Sequence, residues 1–117
     1  MGTAFLTCPE AGTPKFYKQT LLDTQSDNTV LTCAFAGCYA RAIKNRFTDE
    51  MIHEPEMIAD YPVQLALTKT LRTHTAELQR GELLSFWAGQ GACFSTGLPA
   101  AELIAHWVNE AQAYLKG

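Results

Sequence analysis

The stretch 98–117 constrains this chain most. Leu98-Pro99 opens it. Leu103, Ile104, Trp107, Val108, Ala111, Tyr114 and Leu115 then recur at helical spacing, with Glu102, His106, Asn109, Glu110 and Gln112 on the other face. A helix with a continuous apolar stripe must bury it against another surface, so any fold of this chain has to provide cover for that stripe. With 117 residues, 47% apolar and 10% aromatic, the chain has the make-up of one globular domain with a modest core.

Charge and cysteine content exclude several classes. The formal net charge is −3 and the charges are scattered, so neither a basic stripe nor a nucleic-acid footprint is expected. No apolar run approaches the ~20 residues of a membrane span. The first residues lack the charged start and long apolar stretch of a signal peptide, which predicts a cytoplasmic protein. Four cysteines, Cys8, Cys33, Cys38 and Cys93, then read as reduced thiols. Their spacing is not C-x-x-C, so no zinc is expected, while Cys33 and Cys38 can face each other across a turn.

Taken in order, the chain opens on Met1-Gly2-Thr3-Ala4-Phe5-Leu6, a short apolar run that reads as a strand end. There Gly2 permits close backbone approach to a phosphate and Thr3 offers a hydroxyl donor; an ordinary core strand is the plainer reading. A turn-rich loop follows from Cys8 to Gly12. Thr13 reads as an N-cap with Pro14 at the first helical position, and the helix runs from Lys15 to Leu22 with Phe16, Tyr17, Thr20 and Leu21 on its apolar face. Thr29 to Phe35 and Cys38 to Ile43 are strand-like runs around Gly37, which predicts a β-hairpin with Gly37 at positive φ. Thr48-Asp49-Glu50 predicts an N-cap with acids in the first turn of a short helix that Pro55 ends.

Tyr61-Pro62 opens the next helix. Val63, Leu67, Leu71, His74 and Leu78 predict a buried stripe along about five turns, with Gly81 as the stop. Leu83 to Gly91 is a further apolar segment interrupted by glycines. The reading is a mainly α domain with a short β-hairpin (α+β).

Side-chain chemistry alone names no activity. His53 lies among Glu54, Glu56 and Asp60, but without a second His at helical spacing this is a solvated acidic loop rather than a metal site. His74 reads as a packed core or interface residue and His106 as exposed. No nucleophile motif, dinucleotide loop or phosphate-loop signature is present. Trp87-Ala88-Gly89-Gln90 can either line a flat ligand or anchor the core through Trp87. Arg41, Lys44 and Arg46 form a small basic cluster at the hairpin edge.

The ordered set of motifs resembles the nitronate monooxygenases, formerly 2-nitropropane dioxygenases. Met1 to Leu6 with Pro9-Glu10-Ala11 is similar to that family's last barrel strand and following loop. Leu31 to Phe47 resembles its "LTRAFTGRPARGIRNRF" stretch, Tyr61-Pro62-Val63-Gln64 with Leu67-Thr68 its "YP-Q--LT" helix start, Leu84 to Gln90 its "LSLWAGQ", and Leu98 to Leu103 the start of its final helix. The resemblance spans essentially the whole chain.

It implies an FMN-dependent enzyme that oxidises alkyl nitronates with O2 on a (β/α)8 barrel carrying a mostly helical cap. This chain matches the C-terminal third, so residues 1–12 are expected to be the remnant of the barrel strand and loop, and 13–117 an isolated helical and hairpin cap. The resemblance assigns FMN-phosphate binding to Gly2 and Thr3. It makes Tyr61 and Lys69, with Trp87 and Gln90, the lining of the substrate cavity. The family's catalytic His, in an Ala-Gly-Gly-His motif, has no counterpart here, so no catalytic residue is assigned. Cys33 and Cys38 stand where the family tends to have Arg. The chain is therefore expected to be a truncated relative that neither catalyses nor holds FMN alone and forms a homodimer or swapped oligomer. The alternatives are a small-molecule-binding or interaction module derived from the cap, and one subunit of a split flavoenzyme whose barrel is a separate chain.

Overall fold

Residues 29–43 form the frame on which the rest is hung. The computed structural model describes residues 1–117. Strands β1 (Thr29–Thr32) and β2 (Ala40–Ile43) pair antiparallel, with Thr29 opposite Ile43 and Thr32 opposite Ala40. Threonine, valine and isoleucine suit this pleated, half-buried setting. The far edge of β2 is closed by an extended segment: the Ile43 N–H donates to the Phe86 carbonyl at 2.9 Å and the Ala88 N–H to the Arg41 carbonyl at 3.1 Å. Neither edge of β2 is left unpaired.

Helices are added around this frame. They are α1 (Gly2–Leu6), α2 (Lys15–Leu22), α3 (Arg46–Met51), α4 (Val63–Leu67), α5 (Lys69–Glu77) and α6 (Ala100–Lys116). Short 3₁₀ turns lie at Pro55–Met57, Gly81–Leu83 and Gln90–Phe94. The central core joins Leu21, Ile43, Leu84, Phe86, Ala88 and Ala92. The Phe16 and Tyr17 rings meet Phe86 edge-on at 5.5 and 4.9 Å. Phe35, fully buried, packs between Phe47 and Trp87. No helix is long and apolar enough to cross a membrane.

Several expectations hold, among them the limits of α2, the hairpin, and the positive φ of Gly37, which is +81°. Gly37 is also required sterically. Its N–H donates to the Cys33 carbonyl at 2.8 Å, and an added Cβ would sit 2.3 Å from the Ala59 carbonyl oxygen and 2.6 Å from the Tyr61 nitrogen.

Residues 1–6 correct the sequence reading: they are not a strand but the helical turn α1. A strand must give its N–H and C=O groups to a neighbour, and the sheet here has only β1 and β2. The segment satisfies itself instead, with Ala4 N–H bonded to the Met1 carbonyl and the Thr7 hydroxyl to the Ala4 carbonyl at 2.8 Å.

Helix caps differ from expectation too. Pro14, not Thr13, occupies the cap position of α2. Helix α3 starts earlier than expected, capped by Asn45 in a reciprocal pairing with Thr48. The Asn45 amide also donates to the Gly81 and Leu84 carbonyls at 3.0 and 2.7 Å, tying α3 to the core segment.

The predicted five-turn helix is two helices, broken at Thr68, and it is turned the other way. Its buried residues are Gln64, Thr68 and Thr75, whereas Val63, Leu67 and Leu78 are 54%, 66% and 55% exposed, and His74 is exposed rather than packed. The reason is polar. The Gln64 side chain donates to the Ala34 carbonyl at 2.8 Å and accepts from the Ala59 N–H at 3.1 Å, and the Thr68 hydroxyl donates to the Phe35 carbonyl at 2.6 Å. These buried carbonyls would otherwise have no donor. Nor is Gly81 the stop. Gln79 takes the left-handed conformation at φ +53°, and the Arg80 N–H closes back on the Thr75 carbonyl at 2.8 Å.

Two predictions test this frame. Gly37→Ala forces a left-handed backbone on an L-residue and drives Cβ into the 59–61 backbone, so it should lower the unfolding free energy by at least about 2 kcal/mol in urea titration. Tyr17 donates its hydroxyl to the Trp87 carbonyl at 2.9 Å, and burial pushes its pKa up from 10.0 to about 12. The folded state therefore favours the protonated phenol. Its contribution is complete below pH 10 and is lost as pH rises from 10 toward 12. Tyr17→Phe should flatten the fall in stability over that window relative to the parent protein; parallel pH curves for the two proteins would contradict it.

Candidate functional site

The residues assigned to cofactor contact lie at the start of α1, and α1 is held in place by side chains far away in sequence. Phe5 meets the Trp107 ring of α6 edge-on at 5.4 Å. Lys18 of α2 donates its ammonium to the Cys8 carbonyl at 2.7 Å and the Ala11 carbonyl at 2.9 Å, clamping the loop that follows α1. The Glu10 carboxylate accepts from the Ala100 N–H at 3.1 Å, capping the N-terminus of α6, where a negative charge also meets the helix dipole favourably.

Thr3 is fixed directly. Its Oγ1 accepts a hydrogen bond from the Gly89 N–H at 2.9 Å. A hydroxyl carries one donor and two acceptor lone pairs, so this contact leaves its proton free to be donated. An added Cβ at Gly2 would meet nothing within 4 Å. A groove of about 220 Å³ lies between Met1, Thr3 and Ala4 on one side and Gly89, Gly91, Phe94 and Trp107 on the other.

The other four candidates are scattered. Trp87 is half-buried with its ring edge-on to Phe35 at 5.7 Å, so of the two readings of the Trp87-Ala88-Gly89-Gln90 stretch the structure gives Trp87 the anchoring one. Gln90 opens a 3₁₀ turn and is exposed. Tyr61 and Lys69 are both exposed, on either side of the break at Thr68. None of five surface cavities is lined by two of these four residues. The largest apolar hollow, about 330 Å³, lies elsewhere, between β1, the Met51-Ile52 end of α3 and Ile58. Cys33 lines it, and burial together with neighbouring Cys38 pushes the Cys33 thiol pKa up, which makes it a poor nucleophile.

No group of three His, Cys, Asp or Glu side chains is placed to hold a metal ion. His106 lies 3.5 Å from Glu110 on the exposed face of α6, and Arg46 of the basic cluster is paired with Glu50 at 2.6 Å. Lys18 and Glu10 escaped the sequence reading because their partners are distant backbone groups. The Asn45–Thr48 spacing, in contrast, is a capping signature visible in the sequence.

Comparison with known proteins places this geometry. The family model for nitronate monooxygenase matches residues 1–110. A probable nitronate monooxygenase of Staphylococcus aureus (strain Newman) is 36% identical over 110 residues, 94% of this chain and 31% of that protein. Among solved structures, nitroalkane oxidase from Streptomyces ansochromogenes superposes with a TM-score of 0.84 at 39% identity, over 98% of this chain and 33% of that one. FabK from Thermotoga maritima superposes with a TM-score of 0.68 at 26% identity, over 97% of this chain and 39% of that one. The chain thus spans about a third of the length of these relatives. The match over almost all of its residues shows that it belongs to the nitronate monooxygenase family.

Proposed function

We propose that this chain is the flavin-covering portion of an FMN-dependent nitronate monooxygenase and works with the barrel-forming portion that its relatives carry in the length it does not span. The observation that carries this reading is the match over residues 1–110, which includes Gly2 and Thr3. FMN, when bound, would take electrons from an alkyl nitronate and pass them to O2. The residues of this chain bind and cover. Gly2 leaves space for a phosphate oxygen to approach the backbone, and Thr3, already oriented by Gly89, has its hydroxyl proton free to donate to it. The groove of about 220 Å³ beside them suits a phosphate and its linking chain rather than a whole flavin, so this chain does not hold FMN alone. Tyr61 and Lys69 face outward, where a barrel laid over α4 and α5 brings them to the substrate cavity.

The chain supplies no base. His53, His74 and His106 are all exposed and none lies in the family's Ala-Gly-Gly-His context, so nitronate chemistry waits on the barrel's histidine and the chain is inactive by itself. A cytoplasmic location fits this reading. The rival reading, a small-molecule module built from Tyr61, Trp87 and Gln90, gains no support from residues that line none of these five cavities.

The purified chain should be colourless and show no flavin band on gel filtration with FMN. Co-expressed with the barrel portion of the Staphylococcus aureus relative it should carry flavin absorbance and oxidise a nitronate. Thr3→Val should weaken FMN binding in that assembly about tenfold, the loss of one phosphate hydrogen bond. Flavin that co-elutes with the chain alone, or an affinity indifferent to Thr3→Val, would refute these assignments.

A further inference from the structure

One edge of the sheet is open. The Ile43 N–H and the Arg41 carbonyl turn toward the 86–88 segment. Ala40 and Ala42 therefore turn their backbone groups toward β1, where Thr32 and Val30 stand opposite them. The Lys44 N–H keeps the same alternation by donating to the Asn28 carbonyl at 2.9 Å. Leu31 thus points its N–H and carbonyl away from β2, and no further strand takes them. Exposed edges are ordinarily blunted by a charge, a proline or a bulge. Thr29-Val30-Leu31-Thr32 has none of these, and Leu31 is 52% exposed.

This edge faces a groove. The hollow of about 330 Å³ is lined by Val30, Leu31, Thr32 and Cys33. A hollow on one face of a strand would touch alternate residues; contact with four in succession runs it along the edge. Its far wall is apolar, with Ile52, Pro55 and Ile58, and Asp60 is the one charged residue that lines it. The segment that builds this wall is acidic. From Phe47 to Asp60 it carries five carboxylates, Asp49, Glu50, Glu54, Glu56 and Asp60, and no Lys or Arg. Only Glu50 among them is ion-paired, with Arg46, and the other four are exposed.

We infer that the open edge of β1 and its groove take a short extended peptide of apolar and basic side chains, added as a third strand. Main-chain bonding to Leu31 supplies affinity, and the groove supplies specificity. β1 offers about 13 Å of edge, four residues at ~3.3 Å each. Apolar side chains of the peptide meet Ile52 and Ile58, and its lysine or arginine meets the unpaired carboxylates. A second copy of this chain is the wrong occupant. Edge-to-edge pairing would bring two such acidic segments together, and like charges oppose that. The site uses neither Gly2 nor Thr3, so it stands or falls separately from the proposed function.

The probe is a fluorescein-labelled, acetylated hexapeptide of alternating valine and lysine, titrated with the purified chain and followed by anisotropy. Saturable binding is expected. It should weaken at least about tenfold when glutamate replaces lysine, and as much when the peptide's backbone amides are N-methylated. Asp60→Asn removes a groove charge that makes no ion pair, so it should weaken the lysine peptide about threefold and leave the thermal midpoint unchanged. Leu31→Pro removes the edge N–H, which has no partner within the chain, and should abolish binding. Since proline can also disturb the strand, the parent protein is followed by amide hydrogen exchange. Saturating peptide should slow exchange at Leu31 more than at Val30, which already faces Ala42. Absence of saturable binding, or Leu31 exchange unchanged in the bound state, overturns the proposal. So does binding that survives N-methylation, which is attraction to the acidic surface alone. A dimer of the chain that Leu31→Pro dissociates overturns it too, because the edge then serves a second copy.

Discussion

The carbonyls of the turn at 33–37 decide how the molecule is put together. The turn is buried beneath α4, and the left-handed Gly37 packs on the 59–61 backbone closely enough to exclude any side chain. Ala34 and Phe35 therefore present carbonyl oxygens where water does not reach them. An unpaired buried acceptor costs about 1–3 kcal/mol, comparable to burying a leucine side chain. Gln64 and Thr68 answer that need, and their one-turn spacing commits a whole helix face to it. Val63 and Leu67 are then rotated outward by geometry, whatever their hydrophobicity. The outward apolar face of α4 follows from a polar constraint, not from a failure to pack.

This also explains what the sequence could and could not tell. Helix α2 was legible because Pro14 and the Phe16, Tyr17 and Leu21 spacing are local signals that tertiary structure confirmed, and the hairpin because β-branched runs flank the glycine that must take positive φ. For α4 and α5 the period was legible but the side was not. Hydrophobic spacing shows that a stripe exists, and it assumes that the stripe points at this chain's own body. Met1 to Leu6 failed for a related reason. Strand pairing depends on contacts that no local pattern reports, and here the local hydrogen bonds of Ala4 and Thr7 close a helical turn instead. Of the site, residue chemistry offers Gly2 and Thr3 only as one reading of a short apolar run, and the family resemblance is what assigns them. The contacts that hold them, from Gly89, Lys18 and Trp107, join residues up to 102 apart, and no local pattern encodes such pairs.

The outward apolar residues of α4 fit the proposed function, in which the portion its relatives carry would cover them, while the polar pairings of Gln64 and Thr68 are satisfied within this chain. The cysteine pair and the 330 Å³ hollow near β1 fit neither pattern and are peculiar to the hairpin side of the molecule.

The position of Thr3, the residue proposed to meet the phosphate, is tied to α6. Beyond Trp107 that helix has no buried residue, and a helix segment shorter than ~12 residues without tertiary support is marginal in water. Trp107 is also the ring on which Phe5 rests, and Phe5 belongs to the same short turn as Thr3. The support of Thr3 therefore runs through Phe5 and Trp107 to the first half of α6, the half that packs on the body through Leu103 and Trp107.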